Sequence, residues 1–285
     1  MPNRDGNMKD KTCMVTGASS GIGLVTAREL ARQGASVTLV SRSPERCQAA
    51  TESIRQETGN LEVDFIAADL SLLDEMRRAA EEFVKRRRRL DVLVNNAGGF
   101  FMRRSETVDR LEQTLALNHL NYFLLTNLLL EMIQASAPAR IINVSSDAHR
   151  GARIDFDNLQ NKRKYAGFRV YAQSKLMNVL FTYELARRLE GSGVTANALH
   201  PGFVATGFAK NNGFLFRLAM PIAQLGALSP EEGARTSIYL ASSPEVEGIS
   251  GKYFTKEQAV QSDPASYDEK TAHRLWDVSL ELAHG

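Results

Sequence analysis

The chain has 285 residues, of which 43% are apolar, 24% charged and 7% aromatic, an ordinary globular composition that excludes a disordered or fibrous protein. A chain of this length buries roughly 75% of the surface its unfolded form exposes, and its two cysteines, Cys13 and Cys47, leave neither a disulfide framework nor a metal-ligand cluster, so no metal is expected. With 35 Lys and Arg against 33 Asp and Glu, the net charge of +2 is too balanced to point to nucleic acid as a partner.

Met1 to Lys11 is short and polar and has no apolar stretch of a secretory signal. Gln113 to Leu130 carries no formal charge, but Gln113, Asn118, His119, Asn121 and Asn127 interrupt it, which predicts a buried helix rather than a membrane span. Cytoplasmic location is the expectation. In chain order, Thr12 to Thr16 reads as a strand, followed by a Gly/Ser turn and a helix to Gln33 that Gly34 stops. Ser36 to Val40, Val63 to Ala67, Leu90 to Asn95, Arg140 to Ser145 and Val194 to Leu199 read as further strands. Between and after them, helices are predicted over Pro44 to Glu57, Leu72 to Arg88, Glu106 to Ala135, Tyr171 to Leu189 and Pro230 to Ala241. Lys252 to Phe254 closes the sheet, and 262–285 forms a tail helix carrying Trp276.

Strands with few polar interruptions, alternating with helices, predict an α/β fold: a doubly wound parallel sheet of Rossmann type with helices on both faces. No linker breaks the rhythm, so one domain over 1–285 is expected, with its ligand crevice at the carboxyl ends of the strands. The first strand and helix enclose Thr16-Gly17-Ala18-Ser19-Ser20-Gly21-Ile22-Gly23. Glycines there let the backbone turn sharply and approach a pyrophosphate, which the free N–H groups of the helix end favour.

The G-x-x-x-G-x-G spacing resembles the short-chain dehydrogenase/reductase superfamily, and further matches follow in order. They are Asp69-Leu70, Asn95-Asn96-Ala97-Gly98, Asn118, Ser145-Ser146, Tyr171-x-x-x-Lys175 and Pro201-Gly202. The resemblance implies catalytic roles for Asn118, Ser146, Tyr171 and Lys175. It also implies a cofactor cradle of Gly17, Ser19, Ser20, Gly21, Ile22, Gly23, Asp69, Leu70, Asn95, Ala97, Gly98, Tyr171, Lys175, Pro201, Gly202, Val204 and Thr206. At the end of the second strand stands Ser41-Arg42-Ser43, with no carboxylate before Glu45. An arginine there attracts a ribose 2′-phosphate, whereas an acidic residue accepts the free 2′-hydroxyl. The expected cofactor is NADP(H) rather than NAD(H).

Tyr171 and Lys175 are four apart in a helical stretch and share a face. An adjacent ammonium, helped by the oxidised nicotinamide, is expected to draw the phenol from its usual pKa near ~10 toward working range. By resemblance, Tyr171 exchanges a proton with the substrate oxygen, Ser146 hydrogen-bonds it, Lys175 holds the nicotinamide ribose and Asn118 supports a relay water; Ser145 is the rival serine. The 25-position interval from Ser146 to Tyr171, Ser41-Arg42, His200-Pro201-Gly202 and Arg274-Leu275-Trp276-Asp277-Val278-Ser279 make the chain look like the retinol dehydrogenase-like branch. Animal members of that branch often carry a membrane anchor before the glycine turn; nothing in Met1 to Lys11 reads as one, which points to a soluble relative.

Phe203 to Ser229 interrupts the alternation with Phe203, Phe208, Phe214, Leu215, Phe216 and Leu218, and Gly207, Gly213 and Gly226 as hinges. A long apolar segment leaving the carboxyl edge of the sheet predicts a lid that favours lipophilic alcohols, aldehydes and ketones; packing on the body, on a second subunit in a homo-oligomer or on a membrane surface are the rival readings. Lys85 to Arg89 reads as a solvated helix end, and His119 as a packed interface residue. A non-catalytic dinucleotide sensor or scaffold and a sugar-nucleotide epimerase are the alternative functions. The four catalytic-type residues oppose the first, and the glycine spacing and small C-terminal portion oppose the second.

Overall fold

The computed structural model describes residues 7–204 and 227–284. The strands are β1 (Thr12–Thr16), β2 (Ser36–Ser41), β3 (Val63–Ala67), β4 (Val92–Asn95), β5 (Ala139–Val144), β6 (Val194–His200), β7 (Tyr253–Thr255) and β8 (Gln258–Val260). They form one sheet in the order β3-β2-β1-β4-β5-β6-β7-β8. Every pairing is parallel except the last, where β8 runs antiparallel to β7. The helices are α1 (Gly21–Arg32), α2 (Pro44–Thr58), α3 (Leu73–Arg86), α4 (Gln113–Leu115), a π turn (Ala116–Leu120), α5 (Asn121–Ala135), α6 (Gly167–Arg188), α7 (Pro230–Ser242) and α8 (Glu269–His284). The fold is a Rossmann-type α/β sheet covered on both faces.

The central strands are apolar on both sides because both sides are packed. Every residue of β1 and β4 is buried. One apolar core joins α3, α5, α6 and α8 through Phe83, Phe123, Phe181 and Trp276; the other joins α1, α2 and α7 through Leu30, Ile54 and Leu240. Trp276 of the tail helix stands edge-on to Phe123 at 5.0 Å and stacks on Phe181 at 5.8 Å, with the Arg188 guanidinium 4.1 Å from its ring centre. The tail is thereby fixed to the body. The chain crosses from β1 outward to β3, returns to β4 and continues to β6, so the sheet order reverses between β1 and β4 and opens a crevice at their carboxyl ends.

Several expectations are corrected. Glu106 to Glu112 is not helical: Glu106 pairs with Glu112 in an isolated bridge, and Arg110 takes a left-handed φ of 59°. The helix begins only where the buried Glu112 carboxylate accepts the Thr114 and Leu115 amides, both at 2.8 Å. The helix carrying Tyr171 starts a turn early, at Gly167, a position that only glycine fits because a Cβ would meet the Phe101 carbonyl at 2.6 Å. The tail is α-helical only from Glu269; before it, Asp263 caps a 3₁₀ turn over Pro264–Tyr267. β8 was not foreseen.

The basic run at the end of α3 is not merely solvated. Arg86 pairs with Glu82, Arg87 with Asp64 at 3.1 Å, and Arg89 with Asp91 at 2.5 Å. His119 is buried and lies 2.8 Å from the Ser279 hydroxyl, within the α5–α6–α8 packing. Among the described residues, no helix is long and apolar enough to cross a membrane. Thr206 and the expected lid residues from Gly207 to Gly226 lie outside the described residues.

Candidate active site

The crevice is one cleft with two lobes, of about 490 and 610 Å³, which share Gly17, Ser19, Ser41, Ala97 and Gly98 in their walls. Gly17 stands at φ 65°, a region that side chains disfavour, and a Cβ on it would meet Ala97 Cα at 2.9 Å. A Cβ on Gly23 would meet the Gly17 carbonyl oxygen at 2.6 Å. The turn is held from the opposite strand by Asn96, whose Nδ2 donates to the Thr16 carbonyl at 2.8 Å, and by Thr16 Oγ1, which accepts from the Asn96 and Ala97 amides. Ser20 is the N-cap residue of α1, yet its side chain makes no capping bond, and the first turn carries no acid. Ser20, Gly21, Ile22 and Gly23 line the larger lobe, so the helix end meets the cleft with uncapped amides. That is the environment a pyrophosphate requires.

The smaller lobe is lined by Arg42, Ser43, Arg46, Asp69 and Leu70. Arg42 reaches to 3.8 Å from Asp69 Oδ2, while Asp69 Oδ1 is taken by the Ser71 amide and hydroxyl. Ser19 donates to Ser41 Oγ at 3.0 Å beside them. Glu45 is the first acid after β2, and its carboxylate accepts the Ser43 hydroxyl at 2.7 Å.

In the larger lobe, Ser146, Tyr171 and Lys175 line one wall and Pro201, Gly202 and Val204 another. Ser146 stands beside the Tyr171 phenol, close enough to draw its pKa down. Ser145 also borders the lobe, but its hydroxyl is committed to the protein, donating to the Lys175 carbonyl at 2.8 Å. Phe100 meets Tyr171 edge-on at 5.9 Å, and Phe168 and Phe203 add to the apolar lining.

Two of the expected site residues have side chains committed within the protein. Asn95 is fully buried, and its Nδ2 donates to Thr126 Oγ1 and Asn143 Oδ1, both at 2.9 Å. Its side chain points into the core while that of Asn96 reaches the glycine turn, because successive strand residues face opposite sides. The Asn118 carboxamide is also committed: Oδ1 accepts the Gly99 amide at 2.8 Å, and Nδ2 donates to the Gly99 carbonyl and Ser174 Oγ. Ser174 in turn donates to the Tyr171 carbonyl at 2.7 Å. Both amide hydrogens of Asn118 are used within the protein, so this side chain braces the loop and the helix.

Within the protein itself, burial sets the electrostatics of the pair. Lys175 Nζ donates to the Val144 carbonyl at 3.0 Å and sits 5.7 Å from the Tyr171 ring centre. Burial is the dominant effect on both groups. It lowers the Lys175 pKa to about 7 and pushes the Tyr171 phenol up to about 12, with the Ser146 hydrogen bond pulling the phenol partly back. Through neutral pH the tyrosine is a protonated donor.

Residues 11–213 match the short chain dehydrogenase family. Human retinol dehydrogenase 13 is 46% identical over 95% of this chain and 84% of its own length. Dehydrogenase/reductase SDR family member 13 of Bos taurus is 44% identical over 97% of this chain and 74% of its own. An uncharacterized protein from Mycobacterium paratuberculosis superposes with a TM-score of 0.80 at 33% identity, covering 98% of this chain and 96% of that one. The Pseudomonas aeruginosa RhlG/NADP active-site complex gives 0.70 at 26% identity, over 91% and 98%. The protein is therefore an oxidoreductase of nicotinamide-dinucleotide chemistry. It belongs to the short-chain dehydrogenase/reductase family, in the retinol dehydrogenase-like branch.

Proposed function

We propose that the protein is an NADP(H)-dependent oxidoreductase that moves hydride between the nicotinamide and a lipophilic alcohol, aldehyde or ketone. One observation carries the chemistry: the Ser146 and Tyr171 hydroxyls lie together on the wall of a cleft continuous with the glycine turn. Two donors converging on one point match the needs of a carbonyl oxygen gaining charge. The bound dinucleotide supplies or accepts the hydride. Tyr171 gives its proton to the oxygen in reduction and takes it back in oxidation, Ser146 hydrogen-bonds that oxygen, and Asn118 braces Tyr171 through Ser174. Lys175, whose Nζ lies beside Gly98, would hold the nicotinamide ribose.

The phosphate preference rests on Arg42 and Arg46 beside the Ser19 and Ser41 hydroxyls, with no acid ending β2. The lipophilic substrate rests on Phe100, Phe168 and Phe203 in the lining and on the retinol dehydrogenase names of the relatives. Following NADPH oxidation across aldehydes, ketones and quinones of graded size tests the reading: turnover is expected with apolar carbonyl compounds, and a preference for polyols or keto acids contradicts it.

The direction of the Tyr171 shift supports a pH dependence. Reduction requires the protonated phenol, which a raised pKa maintains through neutral pH, so kcat/KM for carbonyl reduction is flat on that account from neutrality upward and declines only in strong alkali. Oxidation requires the deprotonated form, so its kcat/KM climbs with pH over the same range. Steady-state profiles in both directions check this; an oxidation rate that falls from pH 7 to 9 would contradict it.

A further inference from the structure

Behind Ser146 stands a histidine that this chemistry does not use. The last ladder bond at the end of β5 runs from the Ser145 amide to the Leu199 carbonyl at 2.7 Å, so the main chain of Ser146 has already left the sheet. It opens a 3₁₀ turn over Asp147–His149, and its Oγ accepts the Ala148 amide at 3.2 Å. The turn brings His149 back against Ser146: Nδ1 lies 2.7 Å from the Ser146 carbonyl oxygen, which also takes the His149 amide at 3.0 Å. On the other side of the ring, the Asp263 amide donates to Nε2 at 3.1 Å.

A carbonyl only accepts and an amide N–H only donates. The two contacts therefore define one tautomer, neutral with the proton on Nδ1 and the lone pair on Nε2. His149 is fully buried, and burial holds its pKa below the ordinary histidine value. The Tyr253 ring packs on it at 4.8 Å and gives its hydroxyl to Asp147 at 3.1 Å. Asp263 is itself anchored, because its carboxylate accepts the Gly151 and Ala265 amides at 2.8 and 2.9 Å. Ser146 is thus tied through one imidazole to a rigid point more than a hundred residues along the chain.

We propose that His149 is a positioning residue: its Nδ1–H bond to the Ser146 carbonyl sets the main chain so that Ser146 Oγ meets Tyr171 at the cleft wall. The inference rests on the reading of Ser146 as a donor to the substrate oxygen. A hydroxyl past the end of a strand has no ladder to fix it, and catalytic hydrogen bonds lose much of their worth when their geometry slackens.

Two substitutions separate the ends of the ring. His149→Asn places an amide donor near the Nδ1 position and leaves Nε2 unreplaced. His149→Gln reaches the Nε2 position with an acceptor and forgoes Nδ1. The expected result is kcat close to the parent for His149→Asn and reduced roughly 10-fold for His149→Gln, with KM and NADPH binding unchanged in both; NADPH binding also reports that each variant is folded. Equal losses, or a larger loss for His149→Asn, assign the residue to anchoring Asp263 alone and overturn the proposal.

Ser146→Ala completes a cycle. If it lowers kcat and His149→Gln then adds no further loss, the two act as one unit. If His149→Gln costs the same factor with and without the serine, the positioning proposal falls while the reading of Ser146 stands. If Ser146→Ala leaves kcat unchanged, the reading of Ser146 itself falls.

Discussion

Replacing Tyr171 by Phe lowers hydride transfer by about 10²-fold or more, the scale of a lost general acid, while leaving NADPH binding nearly intact. The ring does structural work that phenylalanine repeats: it meets Phe100 edge-on at 5.9 Å and lies 5.7 Å from Lys175 Nζ. Only the hydroxyl is removed. Its loss leaves Ser146 Oγ without that partner, at a cost of about 1 kcal/mol, too little to unfold a chain with two extensive apolar cores. Stopped-flow single turnover separates the chemical step from binding. Near-parent turnover in the variant contradicts the assignment of Tyr171 as the proton donor.

The second large effect concerns the cofactor. Arg42→Asp removes a guanidinium from the smaller lobe and places a carboxylate where it repels a 2′-phosphate and accepts a ribose hydroxyl. Hydrogen bonds to a charged partner contribute about 1.5–3 kcal/mol, so NADPH affinity is expected to fall roughly 10- to 100-fold while NADH affinity holds or rises. Because the Arg42 side chain is 72% exposed, the preference for NADPH in the parent weakens as salt is added. Titrations of both dinucleotides at low and high ionic strength measure this. A parent protein that binds NADH as tightly as NADPH rules out the role given to Arg42.

The fold was legible because the strands bury both faces, so apolar runs such as Cys13-Met14-Val15 stand out and glycines such as Gly34 and Gly59 mark the helix ends. Glu106 to Glu112 was misread because Val108 and Leu111 mimic helical spacing, whereas the start is decided by a buried carboxylate at Glu112. β8 escaped because Gln258 and Ala259 are exposed on an edge strand and carry no apolar signal.

At the site, the spacing of Tyr171 and Lys175 gave their shared face but not the sign of the pKa shift, which depends on burial. Asn95 and Asn96 are adjacent in sequence, and only the parity of the strand tells which faces the cleft. The link from His149 to Asp263 joins residues remote in the chain, beyond the reach of any local pattern.

The proposed reaction is hydride transfer to a lipophilic carbonyl carbon, with the oxygen protonated by the protein. NADPH carrying deuterium at C4 of the nicotinamide, on one face or the other, tests it directly when the alcohol formed from a long-chain aldehyde is analysed by mass spectrometry. The predicted result is one deuterium on the carbinol carbon from one of the two labelled faces and none from the other, with the hydroxyl hydrogen drawn from water. Deuterium lost to solvent from both labels, or no consumption of NADPH with any apolar aldehyde or ketone, would contradict it.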